Sequence, residues 1–302
     1  QREYSEVNIV GLGYKPLLPW SYLNEFSGDG LIAVADSFEH IKLLKNSKVP
    51  FVLAGSRFLD SEFPVVATNS FAIGRQAADY LLSCGLMNLL FVGSNKWDDE
   101  RLRYQGFETT ARQRGADCLH ADISFAECAE SDLVVHYNDT NIDRVVEELV
   151  SQAKPIGVFC PNAMIGRLVI EACRSAGISV PDEVAVLAVN DDPLLCKTTD
   201  PALSTIVQSS REIGFQAAKM LFEMLTSASS TNEDQTETAP DDQPAAQKFL
   251  PPRRIAVRRS TDMLVFGDPH FVKKDWHPTN FKPCKRGEWN SRMLIETVLS
   301  ML

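Results

Sequence analysis

Several signatures that would place the chain in a known chemical class are missing. Its seven cysteines stand at 84, 118, 128, 160, 173, 196 and 284 with no CxxC pair among them. Neither a zinc knuckle nor a disulfide framework is encoded, and reduced, buried thiols are expected. No apolar run approaches the roughly 18 residues that a membrane helix needs. The opening Gln1-Arg2-Glu3 has neither an initiator Met nor an apolar leader core, and the sequence reads as that of a soluble, cytoplasmic protein. Basic side chains are in the minority, 30 Lys and Arg against 40 Asp and Glu for a formal charge of -10. A chain whose main task is to coat phosphate backbones concentrates basic residues instead. No Ser stands in a GxSxG elbow and no HxxxH or DxD-type cluster occurs, so neither metal nor cofactor is expected. Gly11-Leu12-Gly13 begins like a dinucleotide-binding turn, but the third glycine is missing and Pro16 falls where a helix should build.

The 302 residues exceed what one core comfortably holds, since single cores rarely grow beyond roughly 250 to 300 residues; two domains are expected. With 44% hydrophobic residues there is material for full cores. Between residues 7 and 210, short β-branched runs alternate with longer amphipathic segments, the pattern of βαβ units around a parallel sheet. Strands are expected over 7–10, 30–34, 51–53, 65–67, 89–92, 156–159 and 184–189, and their continuous hydrophobicity suits strands buried on both faces. Helices are expected over 74–84 and 165–175, each followed by a glycine that supplies the left-handed stop, and over about 211–226. Residues 227–246 then hold no large apolar side chain and cannot offset their own ordering entropy, so a mobile acidic loop is expected. A short strand returns over 254–257. Residues 271–302 carry six Lys or Arg against three acids, a change of texture that marks a separate tail too short for its own core.

In open parallel sheets ligands bind beyond the carboxyl ends of the strands, where loops and helix N-termini converge. The residues just past those ends are Thr68 and Asn69; Trp97, Asp98, Asp99 and Arg103; Asn162; and Asn190, Asp191 and Asp192. An Asn amide offers a donor and an acceptor on one plane, while Arg and Asp supply complementary forks. Together they suit vicinal hydroxyls, which donate and accept at once, and Trp20, Phe71, Trp97 and Tyr104 could cover the C–H face of a sugar ring. An Asn after a strand also serves as a turn former or helix cap. A competing reading pairs Cys160 with His120 or His136 as a nucleophilic couple. Gly93-Ser94-Asn95-Lys96 is too short for a phosphate loop, and the arginines at 253, 254, 258 and 259 read as the charged flank of an edge strand.

The stretches VPFVLAG, ATNSFAIGRQAADYLLSCGLMNLLFVG and ERLRYQGFETTARQRGA resemble the sugar-sensing domain of the lactose and galactose repressor family, itself similar to periplasmic sugar-binding proteins. VPDEVAVLAVND and VRRST bring the resemblance nearest to the xylose operon regulator group, over about residues 7–269. It implies an α/β, two-lobed clamp with parallel sheets flanked by helices and three hinge crossings. Lobe one would comprise 1–93 and 209–246, and lobe two 94–208 and 247–264. It implies ligand contacts at Asn69, Arg103, Asn162, the Asn190-Asp191 pair and Gln208, with Arg103 of RxxG as the forked clamp, and Trp97 joins them as a candidate contact from its place past a strand end. Asn69, Ala163 and Asn190 stand where the family usually has Asp, which keeps or removes a hydrogen-bonding shape but forgoes the stronger acceptance by a charge.

The family's opening strand and helix, and the DNA-reading module that follows in xylose regulators, find no match. The chain is therefore expected to be a shortened form with a divergent tail over 265–302. The function implied is the sugar-sensing part of a transcription regulator, repressor or activator, for xylose or a similar aldose. It would be a homodimer without catalysis or membrane contact, touching DNA only through a module outside this chain. The rivals are a transport-associated sugar-binding protein and a Cys-dependent α/β hydrolase. Limited proteolysis followed by mass spectrometry is expected to cut first within 227–246 and to leave the melting temperature nearly unchanged; hydrogen-exchange protection throughout that stretch would contradict it.

Overall fold

The computed structural model describes residues 28–47, 49–59, 62–123, 139–230 and 246–263, with Trp20, Leu23 and Phe26 ahead of them. The strand expected over 7–10, most of the acidic loop and the tail from 264 lie outside the described residues. In chain order the elements are β1 (Leu31–Ala33), α1 (Phe38–Lys45), β2 (Phe51–Ala54), β3 (Val65–Thr68), α2 (Ser70–Ser83), β4 (Asn88–Gly93), α3 (Asp98–Gln113) and β5 (Asp117–Asp122). They continue as α4 (Asp139–Ser151), β6 (Ile156–Cys160), α5 (Ala163–Ser175), β7 (Val184–Val189), α6 (Pro193–Thr198), β8 (Ser204–Ile206), α7 (Ser210–Ser230), β9 (Gln247–Leu250) and β10 (Ile255–Ala256), with a 3-10 turn over Arg259–Thr261.

Two sheets result. The first runs β1-β2-β3-β9, all parallel. The second runs β10-β8-β7-β6-β4-β5, parallel except for the antiparallel edge strand β10. Helix α7 covers one face of the first sheet through Ile213 and Ala217 against Val52 and Val66, while Leu44 of α1 packs on the other with Leu53 and Val65. In the second sheet the side chains of β4, β6 and β7 alternate between α5 with α4 on one face and α2 with α3 on the other. Strands β6 and β7 are buried at every position, as continuous apolar runs in a doubly covered sheet must be.

The chain changes sheet three times, at 68–70, 206–210 and 250–255. The crossings are laced together: Asn69 N–H donates to Leu250 O at 2.7 Å, Val207 N–H to Arg254 O at 2.8 Å, and Ser209 Oγ to Pro251 O at 3.1 Å. The lobe boundary expected after residue 93 therefore needs correction. Strand β4 hydrogen-bonds β5 and β6, and α2 buries Ile73, Ala77 and Leu81 against Leu89 and Phe91, so residues 70–93 belong to the second sheet. Residues 247–250, expected in lobe two, pair with β3 in the first. Helical periodicity tells that a segment has an apolar face, not which sheet receives it.

The expected start of the acidic loop moves as well, because α7 continues to Ser230. Its last turns use hydroxyls in place of apolar contacts: Thr226 Oγ1 donates to Phe222 O at 3.0 Å and Ser227 Oγ to Glu223 O at 2.8 Å. Helix α2 also begins earlier than expected, at Ser70, because Asn69 caps it.

Helices α2 and α3 meet backbone to backbone. A Cβ on Gly74 would lie 2.0 Å from Arg103 O, and one on Gly106 would lie 2.1 Å from Phe71 O. Both atoms are main chain and cannot swing aside, so the helices must separate to admit a methyl group. Gly74→Ala and Gly106→Ala are expected to lower unfolding free energy by about 2 to 3 kcal/mol each in urea titrations; either variant matching the parent would refute the crossing.

Candidate functional site

The sequence-nominated residues form a row along the carboxyl edge of the second sheet. Going from β8 to β4, they are Gln208, then Asn190 with Asp191, then Asn162, then Trp97 leading into the helix of Arg103. Asn69 joins them from the end of β3, at the first crossing.

Arg103 is the most enclosed of them. It is only 4% exposed, because the Gly74 contact draws its own backbone against α2. Its Nη1 donates to Pro161 O at 2.6 Å, and its Nη2 lies 3.3 Å from Asp99 Oδ2 one turn earlier. The fork is thus held beside Asn162 by the residue that precedes it. Two polar atoms of this pair, Arg103 Nε and Asp99 Oδ1, are buried and find no hydrogen-bond partner among the described residues, as does Thr68 Oγ1. Buried donors and acceptors are nearly always paired, so these atoms are among the exceptions in the described interior.

The asparagines have a structural task. Asn69 Oδ1 accepts from Ala72 N–H at 2.9 Å, and Asn162 Oδ1 from Ile165 N–H at 3.0 Å, capping α2 and α5. The cap uses the carbonyl oxygen of each side chain and not its NH2. Asn190 is different. Its φ of 74° is left-handed, a conformation Asn tolerates better than most residues. Its N–H donates to Ile206 O at 3.2 Å and its Oδ1 accepts from Gln208 Nε2, so these two nominated side chains are in direct contact. Asp191 turns away into the fold: its Oδ1 accepts from Thr205 Oγ1 at 3.0 Å and pairs with the Arg258 guanidinium, which also donates to Leu203 O at 2.8 Å. Arg258, read from the sequence as part of a charged flank, is therefore a structural partner of the site's edge.

Among the aromatic residues, Tyr104 stacks on His120 with centroids 4.5 Å apart, and Trp20 stacks on His40 at 3.9 Å. Trp97 packs on residues of the first sheet. His120 and Cys160 do not face one another. They lie on strands either side of β4, and the pairings that align His120, Phe91 and Phe159 leave Cys160 on the opposite face. Burial also pushes the Cys160 thiol well up, away from the thiolate a nucleophile requires. His136 lies outside the described residues.

Glu100 is the residue the sequence did not single out. Within the run Trp97-Asp98-Asp99-Glu100 it reads as one more acid in a first helical turn, favourable to the helix dipole. In the fold it is 4% exposed and its Oε2 reaches back to accept from Ser94 N–H at 2.8 Å. Burial raises its pKa to about 7, against the opposing effect of that hydrogen bond.

With this geometry in place, the family model for the periplasmic binding protein-like domain matches residues 78–261. A xylose operon regulatory protein from Haemophilus influenzae is 26% identical over 275 residues, covering 87% of this chain and 65% of the relative. Among solved structures, a xylose-binding transcription activator xylR superposes with a TM-score of 0.61 at 24% identity, covering 80% of this chain and 60% of that one. A periplasmic binding protein/LacI transcriptional regulator from Alkaliphilus metalliredigens, complexed with D-xylulofuranose, superposes at 0.57 with 17% identity and 80% coverage of both. The chain spans less than two thirds of the length of the curated relative.

A carboxyl whose folded pKa is raised makes folding take up a proton, so its burial is tolerated below about pH 4.5 and grows costly as pH rises to about 7. Glu100→Gln keeps an oxygen for Ser94 N–H and removes that cost. The variant is expected to gain up to about 3 kcal/mol over the parent at pH 8, at ~1.4 kcal/mol per pKa unit, with the gain fading as pH falls towards 4.5. Urea midpoints at pH 5 and pH 8 test this; a difference independent of pH would contradict it.

Proposed function

Since the chain belongs to the family of periplasmic binding protein-like domains, we propose that it is the sugar-sensing, effector-binding part of a transcription regulator. The observation that carries this reading is the row of Arg103, Asn162, Asn190 and Gln208 along the carboxyl edge of the second sheet, because guanidinium and amide groups supply the donors and acceptors that sugar hydroxyls need. The names of the relatives, xylose regulators among them, direct the choice to xylose or a similar aldose. Arg103 and Asn162 grip the sugar from the second sheet, Asn190 and Gln208 frame it along the same edge, and Asn69 meets it from the first crossing.

The two sheets with their helices act as lobes joined at the three crossings. A ligand held by both lobes stabilises the closed arrangement by the contacts it makes only there, and closure alters the angle that an attached DNA reader senses. The working form is a cytoplasmic homodimer without catalysis, and DNA contact belongs to a module other than the two sheets. Among the described residues, the opposite orientations of Cys160 and His120 speak against that pairing of the hydrolase alternative.

A thermal-shift screen against pentoses and hexoses is expected to single out an aldose, since ligand at 100 times its Kd adds roughly 2.7 kcal/mol. By calorimetry, Arg103→Ala is expected to weaken that sugar by about 1.5 to 3 kcal/mol with the fold intact. No stabilising sugar, or unchanged affinity in the variant, would overturn the reading.

A further inference from the structure

Trp97 follows a strand of the second sheet, yet its indole packs into the side-chain cluster of the first, with Leu53, Phe58 and Val65. Phe58 meets the ring edge-on at 5.5 Å between centroids and Phe38 lies along it at 5.6 Å. The Arg57 guanidinium sits 4.7 Å from the ring centroid, within the range of a cation–π contact. The next residue is bonded to the same loop twice. Asp98 N–H donates to Arg57 O at 3.3 Å, and Asp98 Oδ2 accepts from Leu59 N–H at 2.9 Å. The other carboxylate oxygen takes Arg101 at 2.5 Å.

These contacts join the loop after β2 to the start of α3 without any chain passing between them. The covalent crossings at 68–70, 206–210 and 250–255 can bend but not part; a link made of side chains can do both. It lies at the carboxyl ends of β2 and β4, the ends along which the candidate site runs. Arg103 sits five residues beyond Asp98 on the same helix, so whatever holds the first turn of α3 to the other sheet also sets where that guanidinium stands.

We infer that Trp97 and Asp98 form a strap between the two sheets, and that Trp97 is a positioning residue of the site and not a platform for the sugar ring. The indole is already engaged by Arg57, Phe38 and Phe58, which leaves it the wrong neighbour for a sugar face. Asp98 supplies the part of the strap that is directional, since its two bonds to residues 57 and 59 require one placement of the helix start. The strap stands on these contacts alone; its effect on affinity rests on the proposed sugar reading. If the strapped form is the one competent to bind, releasing it lowers the competent fraction and raises the apparent Kd by the same factor.

The test uses the full chain and the variants Asp98→Ala, Arg101→Ala and Trp97→Phe. The fluorescence difference between the parent and Trp97→Phe isolates Trp97. Without any sugar, Asp98→Ala is expected to shift that emission to the red and to at least double its quenching by acrylamide, while Arg101→Ala leaves both unchanged. Should Asp98→Ala melt early, Arg57→Met reads the same contact from the other side. A Trp97 signal unaltered in Asp98→Ala and Arg57→Met overturns the strap. In calorimetry with D-xylose, Asp98→Ala is expected to weaken binding about tenfold and Trp97→Phe less than threefold. Loss of binding in Trp97→Phe with full affinity in Asp98→Ala would make Trp97 a sugar platform and refute the inference. If the parent binds neither D-xylose nor another pentose or hexose, the sugar reading fails, and the fluorescence arm still decides the strap.

Discussion

The closest constraint in the molecule is the contact of two helices at Gly74 and Gly106. Because neither residue has a Cβ, α2 and α3 approach until main-chain atoms touch, and Phe107 of α3 packs with Phe91 and Phe159 of the sheet beneath them. Much of the candidate site follows from that approach. Helix α2 is capped by Asn69, the first residue to leave the four-stranded sheet, and α3 carries Asp99, Glu100 and Arg103. Pressing one against the other buries the Arg103 backbone and leaves its guanidinium little choice but to lie along Pro161 O. A methyl group between the helices would move the Arg103 guanidinium as well as the core.

The same parts serve the fold and the site. Asn69 and Asn162 end a strand and begin a helix, spending their carbonyl oxygens on the caps. Asn190 takes a left-handed turn that few other residues accept, and so faces Gln208. Asp191 and Arg258 form a mostly buried ion pair, in which removing one partner leaves an uncompensated charge at a cost of about 3 to 5 kcal/mol. That pair ties the end of β7 to the segment after β10, and Ser204, Ser260 and Thr261 extend the tie: Ser260 Oγ donates to Val186 O at 2.6 Å, and Thr261 Oγ1 lies 2.8 Å from Tyr80 OH on α2. The edge of the candidate site is thereby bonded to the last described residues of the chain.

Against this fixed frame stand features that carry a cost. Glu100 is buried where its charge is disfavoured, and Arg103 Nε and Asp99 Oδ1 are buried with no protein partner among the described residues. A fold selected only for stability would remove such groups. Glu100, Asp99 and Arg103 all stand in the first turns of one helix, beside the row of strand-end amides.

The strands of the second sheet were legible because burial on both faces leaves an uninterrupted apolar run, as in 156–159 and 184–189. Strand β5 was not, since an edge strand with Asp117, His120 and Asp122 alternates with water on one side. Arg103, Asn162 and Asn190 could be nominated because candidate positions in a parallel sheet are read from the strand ends. Glu100 and Arg258 could not, because an acid in a first turn and an arginine beside an edge strand look the same whether solvated or buried. Sequence by itself determined the local alternation of strand and helix, the glycine stops, the caps and the polar row, all properties of residues near one another in the chain. Tertiary structure alone decided which sheet received residues 70–93 and 247–250, which carboxylates lost their water, and that Trp97 reaches across to the other sheet. Those outcomes depend on contacts between residues distant in the chain, whose energies are set by packing and desolvation and leave no periodic trace in the sequence.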